Sequence, residues 1–137
     1  MIKLASKAAI TLIFTFVSSN AFAETVKLGE YHSDSGDLVT QYADLNTIRK
    51  NGNISKMWVI TDWSNYQHLN NISILSGVFL HEYDCLNESS RRLTMVFYSG
   101  HMGSGDSVYN THGPNNFEPV IPSSMDDASF KIACKSQ

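Results

Sequence analysis

The chain is 137 residues long, 42% apolar and 17% charged, with a formal net charge of −3 and two cysteines. An acidic balance excludes a nucleic-acid partner, which needs a basic face, and equally a broadly basic, membrane-adsorbing surface.

Residues 1–23 read as a secretory signal peptide. Lys3 and Lys7 make a basic start, residues 8–17 an apolar core, and Ala21-Phe22-Ala23 an A-x-A cleavage site before Glu24. The apolar run is too short for a transmembrane span, so no transmembrane segment is expected in the mature protein. No cysteine near the cleavage site offers a lipid-attachment point. The mature domain, 24–137, keeps 8 of the 10 basic residues against all 13 acidic ones and has the length of one domain. Two cysteines in an exported protein, Cys85 and Cys134, are expected to pair. Closing a loop of that length restricts the unfolded chain by about 4 kcal/mol.

Past the signal, the sequence reads as short strands punctuated by turns. Residues 25–31 alternate weakly and end in Ser33-Asp34-Ser35-Gly36-Asp37, a turn by composition. Residues 38–43 form a second strand, 44–48 a short cap-like turn, and Asn51-Gly52-Asn53 a hairpin signal. Residues 54–63 carry apolar groups on both faces, as a central strand does. The polar stretch 66–71 reads as a loop. Residues 72–85 form a long strand, expected to be broken or bulged near Gly77.

After a turn over 86–90, residues 91–99 make a fifth strand, with Leu93, Met95 and Phe97 alternating against Thr94, Val96 and Tyr98. Residues 100–105 hold three glycines and form a tight turn. Residues 106–111 are the sixth strand, and 112–122 an irregular crossing. Ser123 then caps a helix, with Asp126 completing an approximate capping box and Asp127, Lys131 and Lys135 on a polar wedge. Six strands and one helix give an α+β domain: a meandering antiparallel sheet with the C-terminal helix packed on one face and joined to it by the disulfide.

The order of several short motifs resembles the surface-adhesin protein E family. Tyr42-Ala43-Asp44 with Thr47-Ile48 matches its Y-x-D and S-I, and Met57-Trp58-Val59-Ile60-Thr61-Asp62 its M-W-x-L-x-D. Glu82-Tyr83-Asp84-Cys85 and Tyr98-Ser99-Gly100-His101-Met102-Gly103-Ser104-Gly105 follow in the family's order. Phe117 to Ser124 is similar to W-x-x-V-x-P-x-S, with Phe117 in place of tryptophan, and Ile132-Ala133-Cys134 closes the set. The resemblance implies the same six-stranded sheet and C-terminal helix, joined by the equivalent of Cys85–Cys134. It also implies an adhesin-like role, since the family is named for a lipid-anchored protein that binds host extracellular-matrix and serum proteins. Without a lipid-attachment cysteine, a periplasmic or secreted protein is expected alongside surface display.

Catalytic signals are weak, and no enzyme is expected. Serines near His101 form no G-x-S-x-G elbow, and the glycine-rich turn lacks the lysine and helix of a phosphate loop. Asp126 and Asp127 are explained by a helix start. The histidines show no close metal motif; His101 and His112 flank the last strand and could approach each other, which keeps a metal, haem or small-ligand carrier as a third reading. Otherwise no cofactor is expected. Arg91-Arg92, the only adjacent pair of arginines, and the aromatics Trp63 and Tyr66 are the candidate contacts for a protein partner. The first reading is therefore an exported, non-enzymatic binding protein. The second is a periplasmic structural or envelope-associated domain without adhesion. An open sheet edge makes a homodimer one expectation.

Overall fold

Alternating apolar and polar residues carry the chain through six consecutive antiparallel strands. The computed structural model describes residues 24–135, so the signal peptide expected over 1–23 lies outside the described residues. The strands are β1 (Thr25–His32), β2 (Leu38–Asn51), β3 (Ile54–Leu69), β4 (Ile72–Asp84), β5 (Ser89–Tyr98) and β6 (Ser107–His112). Sequence neighbours are sheet neighbours throughout, as short hairpin connections dictate. A two-residue strand, β7 (Glu118–Pro119), pairs with Ser89 and Ser90 at the start of β5. The helix α1 (Met125–Ala133) follows. The α+β architecture is the one expected.

The strands run longer than their composition indicates. The turn expected over 44–48 is a bulge inside β2: Asp44 faces Trp58, yet Arg49 already faces Lys56. Its hydrogen bonds are turn-like. Asp44 Oδ1 accepts from the Asn46 N–H at 3.2 Å, and the Thr47 hydroxyl donates to the Asp44 carbonyl at 2.6 Å. Thr47 Oγ1 in turn accepts from the Trp58 N–H at 3.0 Å, which returns the bulge to the ladder. The loop expected over 66–71 shrinks to Asn70 and Asn71, both with left-handed φ (49° and 67°), the conformation of a two-residue primed hairpin turn. The accompanying bulge falls in β3 between Asp62 and Gln67, and not at Gly77.

Ser124, one residue later than expected, caps α1. Its Oγ accepts from the Asp127 N–H at 3.0 Å, and the Ser123 N–H donates to Asp127 Oδ2 at 2.9 Å. Ser123 itself adopts φ 63°, which turns the chain into the helix. Of the expected polar wedge, Lys131 donates to Asp127 at 2.8 Å, whereas Lys135 lies past the end of the helix.

The opposite side of α1 buries Ser129 and Ala133 against the sheet. Ala43, Met57, Val59, Tyr83 and Ala133 form the core, with Leu28, Leu45, Ile48, Phe130 and Ile132 packed around it. The last helical carbonyls have no partner within the helix; that of Ala133 accepts from the buried Ser55 hydroxyl at 2.6 Å. One residue on, Cys134 bonds to Cys85 just past β4, with 5.6 Å between the Cα atoms. Hydrogen bond, apolar packing and disulfide all hold the same end of the helix.

Candidate binding site

Because α1 is short, it covers only part of one sheet face. Cross-strand pairs on that face are Ser55–Tyr83, Met57–His81, Val59–Phe79 and Thr61–Gly77 between β3 and β4. On β5 and β6 the rows continue as Phe79–Met95–Thr111 and Gly77–Phe97–Tyr109. The helix sits over the rows of Tyr83 and Met57. Beyond it lies an aromatic row. Trp63 and Phe97 have ring centroids 6.2 Å apart, Phe79 and Phe97 5.9 Å in an edge-to-face arrangement, and Phe97 and Tyr109 6.1 Å. Gly77 makes the row possible: a Cβ there would lie 2.8 Å from the Phe79 ring and 3.0 Å from that of Phe97. Tyr109 is 41% exposed at the edge.

Between this row and the first turn of α1 lies a cleft of about 810 Å³. Val59, Phe79, His81 and Arg92 form its floor, Met125 and Asp126 one wall, and the crossing 114–118 part of its rim. The His81 ring stacks on Tyr83 at 6.0 Å. Burial, which disfavours the imidazolium, holds its pKa below the usual histidine range; Asp126 opposes that shift and Arg92 reinforces it. Arg92 faces His81 because β5 is bulged. Leu80 pairs with Thr94, but His81 pairs with Arg92, so Leu93 is the extra residue. The alternation expected on β5 holds for Met95 and Phe97 and is interrupted there.

The four candidate contact residues are not one patch. Arg91 points to the other face, where its Nε and Nη2 both donate to Glu82 Oε1 at 2.8 and 2.6 Å and its guanidinium lies 4.4 Å over Phe117. Glu82, only 8% exposed, also lies 3.6 Å from the Lys56 ammonium. Arg92 lines the cleft. Trp63 belongs to the aromatic row, and Tyr66, in the β3 bulge, is 58% exposed.

His101 lies in the turn that precedes β6 and His112 at the far end of that strand, and the two are not brought together. His101 Nδ1 instead sits 3.0 Å from Asp62 Oδ2, while Asp62 Oδ1 accepts from the Met102 N–H at 2.7 Å and Ser76 Oγ from that of Gly103 at 2.8 Å. These contacts dock the glycine-rich turn on the sheet face away from α1. Among the described residues, no group of three or more His, Cys, Asp or Glu side chains is placed to hold a metal ion. Nor is any described helix long and apolar enough to cross a membrane.

Sequence reasoning missed His81, Asp126 and the docking of Asp62. The one available signal was the lone glycine within a strand pattern, Gly77, which marks a close approach of rings and not the break or bulge expected there.

A six-strand meander with a C-terminal helix disulfide-bonded to one face, and an aromatic row on the uncovered part, defines a small, disulfide-stapled α+β domain. The surface-adhesin protein E family model matches residues 26–135, and the chain belongs to that family. Three structures of Haemophilus influenzae protein E share the fold. Crystal form II is 14% identical, with a TM-score of 0.58 over 69% of this chain and 79% of that one. The selenomethionine form is 14% identical, with a TM-score of 0.58 over 80% and 88%. The protein from a non-typeable strain is 17% identical, with a TM-score of 0.51 over 80% and 84%. Among curated protein sequences, none matches this chain. Membership in the family makes this an adhesin-like protein and implies a surface or exported location and a protein partner.

Proposed function

We propose that this is an exported, non-enzymatic binding protein that works by protein–protein contact, its partner a host extracellular-matrix or serum protein. The family match across 26–135 carries the reading. The aromatic row supports it, because protein interfaces are enriched in aromatic residues and their binding energy concentrates in a few of them. Trp63 stands within the row, with Tyr66 exposed farther along β3. Arg91 is committed to Glu82 and serves the fold first, whereas Arg92 has no carboxylate partner among the described residues.

Fractionation with protease treatment of intact cells tests the location. The proposal expects the mature protein to begin near Glu24 and to be released or digestible from outside. Protein found only in a protected periplasmic fraction would overturn direct adhesion and favour an envelope-associated role.

A further inference from the structure

We propose that the cleft beside His81 and Arg92 binds a carboxylate carried on an apolar body, presented either by a small organic acid or by the C-terminal end of a polypeptide. Cross-strand opposition places the two side chains on one face, with Cβ atoms about 4.5–5.5 Å apart. Among the described residues, no side-chain hydrogen bond or carboxylate within ion-pair distance engages Arg92, although it is half-buried. A half-buried guanidinium presents a planar fork of N–H donors suited to a carboxylate.

His81 adds a second donor. Its Nδ1 is buried without a hydrogen-bond partner, and a dry nitrogen costs least as a bare acceptor, since orphaned N–H groups are the rarer case. The neutral ring therefore carries its proton on Nε2, the nitrogen left for the cleft. Both side chains line the cleft, and no side-chain hydrogen bond among the described residues engages either.

The remaining surface selects the rest of the ligand. Val59, Phe79 and Met125 give the cleft an apolar part, and its volume of about 810 Å³ lies within the range of small-molecule sites. Asp126, on the helix wall, accepts from the Ser90 hydroxyl at 2.7 Å. Its charge, and that of Glu118 on the rim, repel an incoming carboxylate, which leaves the β5 side of the cleft for the acid group. The ligand then lies with its acid group on Arg92 and His81 and its apolar body over Phe79. Such a site is built by register: without the extra residue Leu93, Arg92 would not face His81.

Amide-resolved NMR titration of the purified, disulfide-bonded protein tests this. The probes are 4-phenylbutyrate and a hexapeptide ending in a free phenylalanine carboxylate, each run beside its carboxamide. The proposal expects saturable shifts at His81, Arg92 and 114–118 with at least one acid and none with the matching amide. A response to 4-phenylbutyrate alone assigns the site to small acids, and a response to the peptide alone to polypeptide ends. Arg92→Gln should weaken binding by about tenfold or more with an unchanged melting temperature, and Arg92→Lys, which keeps charge without the fork, by less. Silence from both acids up to about 10 mM, far weaker than ordinary ligand affinities, would overturn the proposal. So would amides that bind equally well, or an Arg92→Gln protein that binds normally.

Discussion

The Tyr83 hydroxyl meets Ser129 Oγ at 3.0 Å beneath α1. Ser129 spends its own proton on the Asp126 carbonyl at 2.9 Å, so Tyr83 is the donor. Both residues are buried, Tyr83 completely. Burial pushes the Tyr83 phenol well above the ordinary tyrosine range, against the smaller effect of the Ser129 hydrogen bond.

Tyr83→Phe keeps the ring and removes the bond, and should cost about 1 kcal/mol. Tyr83→Ala leaves a cavity and should cost about 3–5 kcal/mol. The raised pKa fixes the alkaline behaviour. Above the unfolded pKa of about 10 the unfolded chain loses a proton that the folded chain retains, so stability is complete below that pH and falls as pH rises. Denaturant unfolding of wild type and Tyr83→Phe between pH 8 and 11 checks this: the wild type should lose more stability on the alkaline side.

Replacing Cys85 and Cys134 together by serine should cost about 4 kcal/mol, a large share of the roughly 5–15 kcal/mol that holds a domain together. Ser55 would still engage the Ala133 carbonyl, so the helix should remain docked but open first. Hydrogen exchange is the check: α1 amides should lose protection ahead of those in β3 and β4.

Arg91 and Arg92 are neighbours in sequence with opposite duties. Arg91→Met strands the buried Glu82 carboxylate with Lys56 alone and should cost about 1.5–3 kcal/mol. Arg92→Met breaks no ion pair and should stay within about 0.5 kcal/mol of wild type. Thermal or urea unfolding of both variants separates them.

Gly77→Ala adds a Cβ within 2.8 Å of the Phe79 ring. The tightly packed row must then shift, at about 1–3 kcal/mol. Near-ultraviolet circular dichroism should change along with the unfolding midpoint.

Much of the architecture was legible because it is written locally. Strand alternation, the Asn51-Gly52 hairpin signal, the serine cap and the acid-to-base polarity of α1 each act within a few residues. The helix start was off by one because Ser123 and Ser124 both offer a hydroxyl, and only the left-handed turn at Ser123 decides between them. The length of β2 was hidden because Asp44 and Thr47 make turn hydrogen bonds inside a strand. Asn70-Asn71 lacks the glycine that usually marks a primed turn. The cleft was illegible for a different reason. The opposition of His81 and Arg92 depends on the bulge at Leu93, and Asp126 reaches them only once the helix has docked. Asp62 and His101, on separate strands and turns, likewise meet only through the finished sheet.

The most direct test of a binding role centred on the uncovered aromatic row is to measure retention of the purified protein on immobilised extracellular-matrix and serum proteins. Wild type and a Trp63→Ala/Tyr109→Ala variant would be compared at a temperature where both are folded. Saturable binding to at least one of these proteins, weakened by about tenfold or more in the variant, is the predicted result. Binding that the two substitutions leave unchanged, or no binding to any of them by the folded wild-type protein, would contradict it.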